Sequence, residues 1–187
     1  TFFKIVWKWI KRLVLAYLVL SILSVIVYRF VPVPVTPLML IRCVEQKMAG
    51  QPMRLDKKWV SMDKISPEMQ LAAFCSEDQD FFNHHGFNWG AIQDAWKHDE
   101  RGKRLRGAST ISQQTAKNVF LWQGTGWGRY ARKAPEFYFT QLIEWTWGKR
   151  RIMEVYLNVI EMGPGVFGIE AASQKYFHKH AKDLTRA

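Results

Sequence analysis

The sequence has 187 residues, 48% of them hydrophobic and 23% charged, which is room for one soluble domain with a packed core plus an appendage. Nothing in it reads as disordered, low-complexity or internally repeated. Lys and Arg outnumber Asp and Glu by 27 to 16, a formal charge of +11, so the partner is expected to be anionic: nucleic acid, a membrane surface or a phosphorylated substrate.

The N-terminus narrows that choice. Leu13 to Tyr28 carries no charge, and extended to Val31 it predicts a helix of ~28 Å at ~1.5 Å per residue, close to the ~30 Å hydrocarbon core of a bilayer. Lys4, Lys8, Lys11 and Arg12 precede it, with Trp7 and Trp9 suited to the interface. The positive-inside rule then leaves the N-terminus in the cytoplasm and exports the rest. A cleaved signal peptide competes with this reading, but no small-x-small site follows the apolar run. Val31 to Pro37 alternates Val with Pro, which ends the helix and favours an extended linker. A first residue of Thr1 rather than Met is expected of a sequence lacking a few native residues. The organisation predicted is a basic stub and anchor over 1–31, a linker over 32–60 and a domain over 61–187.

Cys43 and Cys75 form no disulfide framework and are expected to be free, mostly buried thiols. The His residues lack zinc spacing, so a His-built metal site is not expected.

Beyond the linker the pattern is helical almost throughout. Ser66-Pro67-Glu68 predicts a helix start with N-cap, N1 proline and first-turn acid, the helix ending near Glu77. Asn88 is predicted to cap a helix to about His98, and Ser109 one from Thr110 to about Phe120. A long helix from about Arg129 to Trp147 is expected to kink at Pro135 and stop at Gly148. Helices over 149–160 and 168–177 complete the set. A short strand within 53–60 is the single strand expected.

Four segments place polar groups where a plain helical domain has no need of them. Glu77, Asp78 and Asp80 crowd a helix C-terminus, against the macrodipole and ahead of Phe81 and Phe82, which makes a candidate acid or base. Read locally, a solvated acidic corner explains them equally well. Gly107 before a Ser-capped helix offers free N–H groups to an anion, with Lys117 and Asn118 two turns on and Arg101, Lys103, Arg104 and Arg106 ahead. A capped amphipathic helix is the plainer account. Arg132 and Glu136, four apart, fit a surface ion pair. Lys149, Arg150 and Arg151 form a basic first turn that opposes the dipole, and a glycine-rich turn from Gly163 to Gly168 follows.

Together these segments carry a resemblance. Glu77-Asp78-x-x-Phe81-x-x-His84-x-Gly86 is followed by Gly107-x-Ser109-Thr110-Ile111-x-Gln113-Gln114-x-x-Lys117-Asn118 and by Arg132-Lys133-x-x-Glu136. Then come Arg151-Ile152-x-Glu154-x-Tyr156-x-Asn158 and Gly165-x-x-Gly168-x-x-Ala171-Ala172-x-x-x-Tyr176-Phe177. In this order they resemble the motif set of the peptidoglycan glycosyltransferases, over roughly Ser61 to Thr185, with one anchor as in the monofunctional members.

The resemblance implies a mainly α, two-lobed, lysozyme-like domain behind a transmembrane helix, on the outer (periplasmic) face of the cytoplasmic membrane. It implies lipid II as acceptor and the growing glycan on undecaprenyl pyrophosphate as donor, with other cell-wall synthesis proteins as further partners and no nucleic acid. Glu77 is the implied general base and Glu136 the second catalytic glutamate, orienting cations or a metal. Lys117, Arg132, Lys133, Lys149 and Arg151 are expected at the pyrophosphate. Asp78, Phe81, His84, Gly107, Ser109, Thr110, Gln113, Gln114, Asn118, Glu154, Tyr156 and Asn158 complete the implied substrate site. No covalently bound cofactor is expected, and a divalent metal, Mg or Mn, has a place with the pyrophosphate. Family members continue past the position of Thr185 with further helices, so a C-terminally incomplete domain with exposed apolar surface is expected.

Two other functions use the same features. A lysozyme-like enzyme would cleave glycan strands, but a neutral glycan offers no pyrophosphate to the basic set. A non-catalytic, membrane-tethered basic protein would gather its cations in one stripe with stacking aromatics, whereas here they are dispersed among capped helices and acids.

Overall fold

The computed structural model describes residues 2–93, 109–124 and 126–186, and the chain divides into two units, 1–32 and 33–187. The first is a single helix, α1 (Phe2–Phe30), whose best 18-residue window has a mean hydropathy of 2.3. It is long and apolar enough to cross a membrane. The basic stub is part of the same helix, with Lys11 over the Trp7 ring and Arg12 over the Trp9 ring, each 5.3 Å from the centroid.

From Val33 onward the segment expected to be a linker over 32–60 folds with the second unit. Thr36 caps α2 (Pro37–Met48) by accepting from the Met39 N–H, with Pro37 at the start, where its missing N–H costs nothing. After α2 the chain forms β1 (Asp56–Lys57) and a 3₁₀ turn, Met62–Lys64. Next comes α3 (Pro67–Glu77), capped by Ser66 as the sequence predicts.

Asn88 Oδ1 accepts from Ala91 N at 2.9 Å, and residues 89–93 are helical. The remainder of that expected helix, the basic run from Arg101 to Arg106, and Gly107 lie outside the described residues.

α4 (Ile111–Phe120) is the centre of the second unit, packed on α6 (Lys133–Thr146) and α7 (Gly148–Val159). Its cap is Thr110 rather than Ser109. Thr110 Oγ1 accepts from Gln113 N at 3.1 Å while Gln113 Oε1 accepts from Thr110 N at 3.0 Å, a reciprocal box that Ser109 is one residue too early to make. α4 is buried on nearly every side despite its polar sequence, because Ser112, Gln113 and Thr115 are satisfied internally.

The long helix expected from Arg129 is two helices, α5 (Trp127–Ala131) and α6, breaking at Arg132. Pro135 therefore falls in the first turn of α6, where its lack of an N–H breaks no bond, and no kink is needed. Gly148, read as a stop, turns at φ +71° and opens α7 directly.

The glycine-rich turn is a hairpin of β2 (Glu161–Gly163) and β3 (Val166–Phe167). β3 also pairs in parallel with β1, Asp56 against Val166, giving the order β1-β3-β2, so the single-strand expectation gives way to a small sheet. Gly168, at φ +79°, lets the backbone pass over α7: a Cβ there would lie 2.6 Å from the Asn158 carbonyl oxygen. α8 (Ile169–Phe177) follows. The core between these elements holds Ile111, Ile143, Ile152, Val155, Leu157 and Phe167. The architecture is mainly helical and consistent with a lysozyme-like fold.

Both cysteines are free, but Cys75 is exposed, contrary to expectation, and Cys43 half-buried. α3 fully buries only Ala73, and a residue two positions on points to the opposite side.

Candidate active site

Four helices bring the predicted residues together. Glu77 ends α3 with an exposed side chain, and its Oε2 accepts from Gln114 Nε2 of α4 at 2.9 Å. Tyr156, on the buried face of α7, loses its proton less readily than an ordinary tyrosine, first because it is buried and then because the Glu77 charge is close. The Glu77 carboxylate thus stands between α4 and α7.

One turn beyond Gln114, Lys117 loses its proton more readily than a lysine in water. Burial is the main cause and Arg132 the next, with Lys133 adding to it, while Glu136 and Glu77 oppose the shift. Those four charges are therefore its electrostatic neighbours. Glu136 is almost fully buried: Lys133 Nζ donates to its Oε1 at 2.8 Å, and Arg132 Nε lies 3.4 Å from its Oε2 without hydrogen-bond geometry. Arg132 Nη1 donates to the Trp122 carbonyl at 2.9 Å. The Arg132–Glu136 pair is an interior one, with side chains 8% and 3% exposed, and not the surface pair that its spacing allows. Asn118 is buried on the same helix as Lys117.

The other predicted residues brace this group. Buried Asp78 receives His84 Nε2 at 2.9 Å and the Ile111 N–H at 3.0 Å, tying the turn after Glu77 to the start of α4. Phe81 is fully buried beneath that turn. Thr110 Oγ1 donates to the Gly86 carbonyl at 2.6 Å, and Gln113 completes the cap. Asn158 accepts from Val60 N and donates to Val60 O, both at 2.9 Å, and donates to Glu154 O, so its amide is committed to backbone. Arg151 pairs with Glu154 at 2.9 Å and lies 5.2 Å over the Trp59 ring, on the side of α7 that meets the 57–60 segment. Lys149 is held by Glu144 at 2.7 Å. Ser109 is exposed ahead of the cap.

Sequence reasoning missed Trp59 and Glu144. For Glu144 a signal exists: an acid in a last helical turn and a cation in the next first turn, five residues on, each against its own dipole.

Among the described residues no three Asp, Glu, His or Cys side chains gather as metal ligands. Glu136, the acid beside Lys117, has both oxygens turned to cations of this chain. Its carboxylate is thereby held between Arg132 and Lys133.

The family model described as Transglycosylase matches residues 45–187. The chain is 55% identical to a biosynthetic peptidoglycan transglycosylase of Bdellovibrio bacteriovorus, over 95% of this chain and 70% of that one. It is 51% identical to one of Caulobacter vibrioides, over 95% and 76%, and 49% identical to one of Pasteurella multocida, over 97% and 75%. These matches do not favour the cleaving or the non-catalytic reading. The chain belongs to the transglycosylase family, and it is a glycosyltransferase.

Proposed function

We propose that this glycosyltransferase polymerises lipid II into the glycan strands of peptidoglycan, with Glu77 as the general base. Its place in peptidoglycan synthesis follows from the family and from relatives of that name, one of them 55% identical. Glu77 takes the proton of the acceptor sugar's 4-hydroxyl. The oxygen then bonds to the donor's anomeric carbon with inversion, and the bond from that carbon to undecaprenyl pyrophosphate breaks. A positioned base contributes about 10²–10⁴-fold to such a step. The leaving pyrophosphate gains negative charge, which Lys117, Arg132 and Lys133 are placed to offset.

The observation that carries this reading is the exposed Glu77 carboxylate, held by Gln114 of α4 at 2.9 Å, one turn before the half-buried Lys117 on the same helix. A cleaving enzyme needs a carboxylate, but no cluster of cations beside it. Incubation of the chain with labelled lipid II, products resolved by size, is expected to yield polymer. Shortening of added glycan strands with no polymer would overturn the proposal.

We further propose that α1 spans the cytoplasmic membrane with the N-terminus inside. The basic residues ahead of its apolar stretch support that orientation. A reporter fused after Ala187 is expected to be active only outside the cytoplasm; activity inside reverses the orientation.

A further inference from the structure

Glu144 and Lys149 are not where helix electrostatics would put them. Glu144 lies in the last turn of α6 and Lys149 in the first turn of α7, so each charge sits at the unfavourable end of its helix dipole. They meet across the Gly148 junction at 2.7 Å, with side chains only 4% and 20% exposed. An arrangement adverse for each helix separately is kept because the pair does something that neither helix needs.

What it does is visible in its neighbours. The Glu144 oxygen that receives Lys149 also accepts from the Ser112 hydroxyl, two residues before the Glu77-bonding Gln114 on α4. The Lys149 ammonium lies 4.6 Å from the centroid of the Phe81 ring, which is fully buried under the turn following Glu77. The far end of that turn rests on the same carboxylate side chain. Gly86, at φ +93°, comes so near α6 that a Cβ would lie 2.8 Å from Thr140 Cγ2 and 3.2 Å from Glu144 Cγ. Glu144 therefore bonds to α4 and to the start of α7 and lies beside the far end of the 78–86 turn, three of the pieces whose relative placement sets the Glu77 site.

We propose that Glu144 is a positioning residue of the transfer reaction, and that it holds Lys149 as a brace against Phe81 rather than as a pyrophosphate contact. This rests on the reading of Glu77 as the base. Without Glu144 the Lys149 ammonium is left in a poorly solvated place with no carboxylate, and it moves away from Phe81. The turn loses its support and Glu77 drifts from its productive geometry. Ground-state affinity for the lipid-linked substrates is then unaffected, since Lys149 is committed to Glu144 and Phe81.

The test uses the full chain, lipid II as substrate and inorganic pyrophosphate as competitor, with Glu144→Gln, Lys149→Met and the double variant. Glu144→Gln keeps an acceptor for Ser112 but removes the charge. Each single change is expected to lower kcat by roughly 10-fold or more through misplacement, with KM and pyrophosphate inhibition within about twofold of the parent. The double variant is expected to be no worse than the weaker single, because both changes break one unit. A Lys149→Met chain with weakened pyrophosphate inhibition or a raised KM would overturn the proposal, as would multiplying losses in the double variant. If Glu144→Gln fails to fold, pyrophosphate competition on Lys149→Met still decides. Glu77→Gln, run alongside, separates the two ideas. Retained turnover there removes Glu77 as the base, while the pyrophosphate inhibition and the coupling of Glu144 with Lys149 are read independently.

Discussion

Glu77→Gln is expected to lower the turnover of lipid II by at least ~10²-fold, and by up to ~10⁴-fold if proton removal is wholly lost, while leaving the fold unchanged. The two halves of this expectation have separate grounds. Glu77 is exposed and its side chain accepts from Gln114, so an amide of the same size removes no core contact. The amide has no proton-accepting role at neutral pH, however, and a sugar hydroxyl is a poor nucleophile without one. Circular dichroism and Tm are expected to match the parent, and KM for lipid II is expected to change little, since the missing interaction belongs to the transition state. Turnover within about threefold of the parent would remove Glu77 from the chemistry. A loss of turnover accompanied by unfolding would instead make it part of the scaffold.

The parts of the fold that were legible in the sequence are those in which a local signal decides. Ser66-Pro67 announces α3 because a hydroxyl cap and an N1 proline act within one turn. Thr36-Pro37 carries the same signal for α2, but it is embedded in alternating Val and Pro, whose bias toward extended backbone dominates a local reading. Ser109 and Thr110 both have the chemistry of a cap, and the choice falls to Gln113, three residues after Thr110. Of the sheet only β1 was legible, inside the strand expected within 53–60. Its strands are two or three residues long, and β1 pairs with β3 across more than half the chain, so no periodicity announces it.

The site divides along a different line. Motif residues were found as a group, but a motif does not separate the residues that act from those that hold them. Glu77, Gln114, Lys117, Arg132, Lys133, Glu136 and Tyr156 gather. Asp78, Thr110 and Asn158 have their polar atoms committed to backbone or to His84. The hydrogen-bond partner of each side chain makes that distinction, and the partners are set by the non-local packing of α4 between α6 and α7. The ion pair of Arg132 with Glu136 illustrates it: the i,i+4 spacing is legible, but whether the pair lies in water or in the interior is not.

That interior position makes Glu136 the second large expectation. Glu136→Ala leaves Arg132 buried without its carboxylate and Lys117 facing two cations, a loss on the order of 3–5 kcal/mol for a broken interior pair. For a domain of this size Tm is then expected to fall by roughly 10 °C. Glu136→Gln keeps the volume and one acceptor, so it folds more nearly normally and isolates the electrostatic part. The Lys117 proton is already lost more readily than that of an ordinary lysine, and Glu136 is among the charges that resist the loss. Removing that charge lowers the Lys117 pKa further. The cation is the working form, present below its pKa and lost as pH rises through it. The alkaline limb of the turnover profile is therefore expected to move to lower pH in Glu136→Gln, and to higher pH in Lys117→Arg, whose guanidinium stays protonated. Titration with added Mg²⁺ is expected to give the same midpoint in Glu136→Gln and the parent, because the oxygens of Glu136 are engaged by Arg132 and Lys133. A displaced metal midpoint with an unmoved alkaline limb would reverse the assignment and make Glu136 a metal-orienting acid. A displaced limb with an unmoved midpoint leaves it as the carboxylate that keeps three cations charged and in place for the departing pyrophosphate.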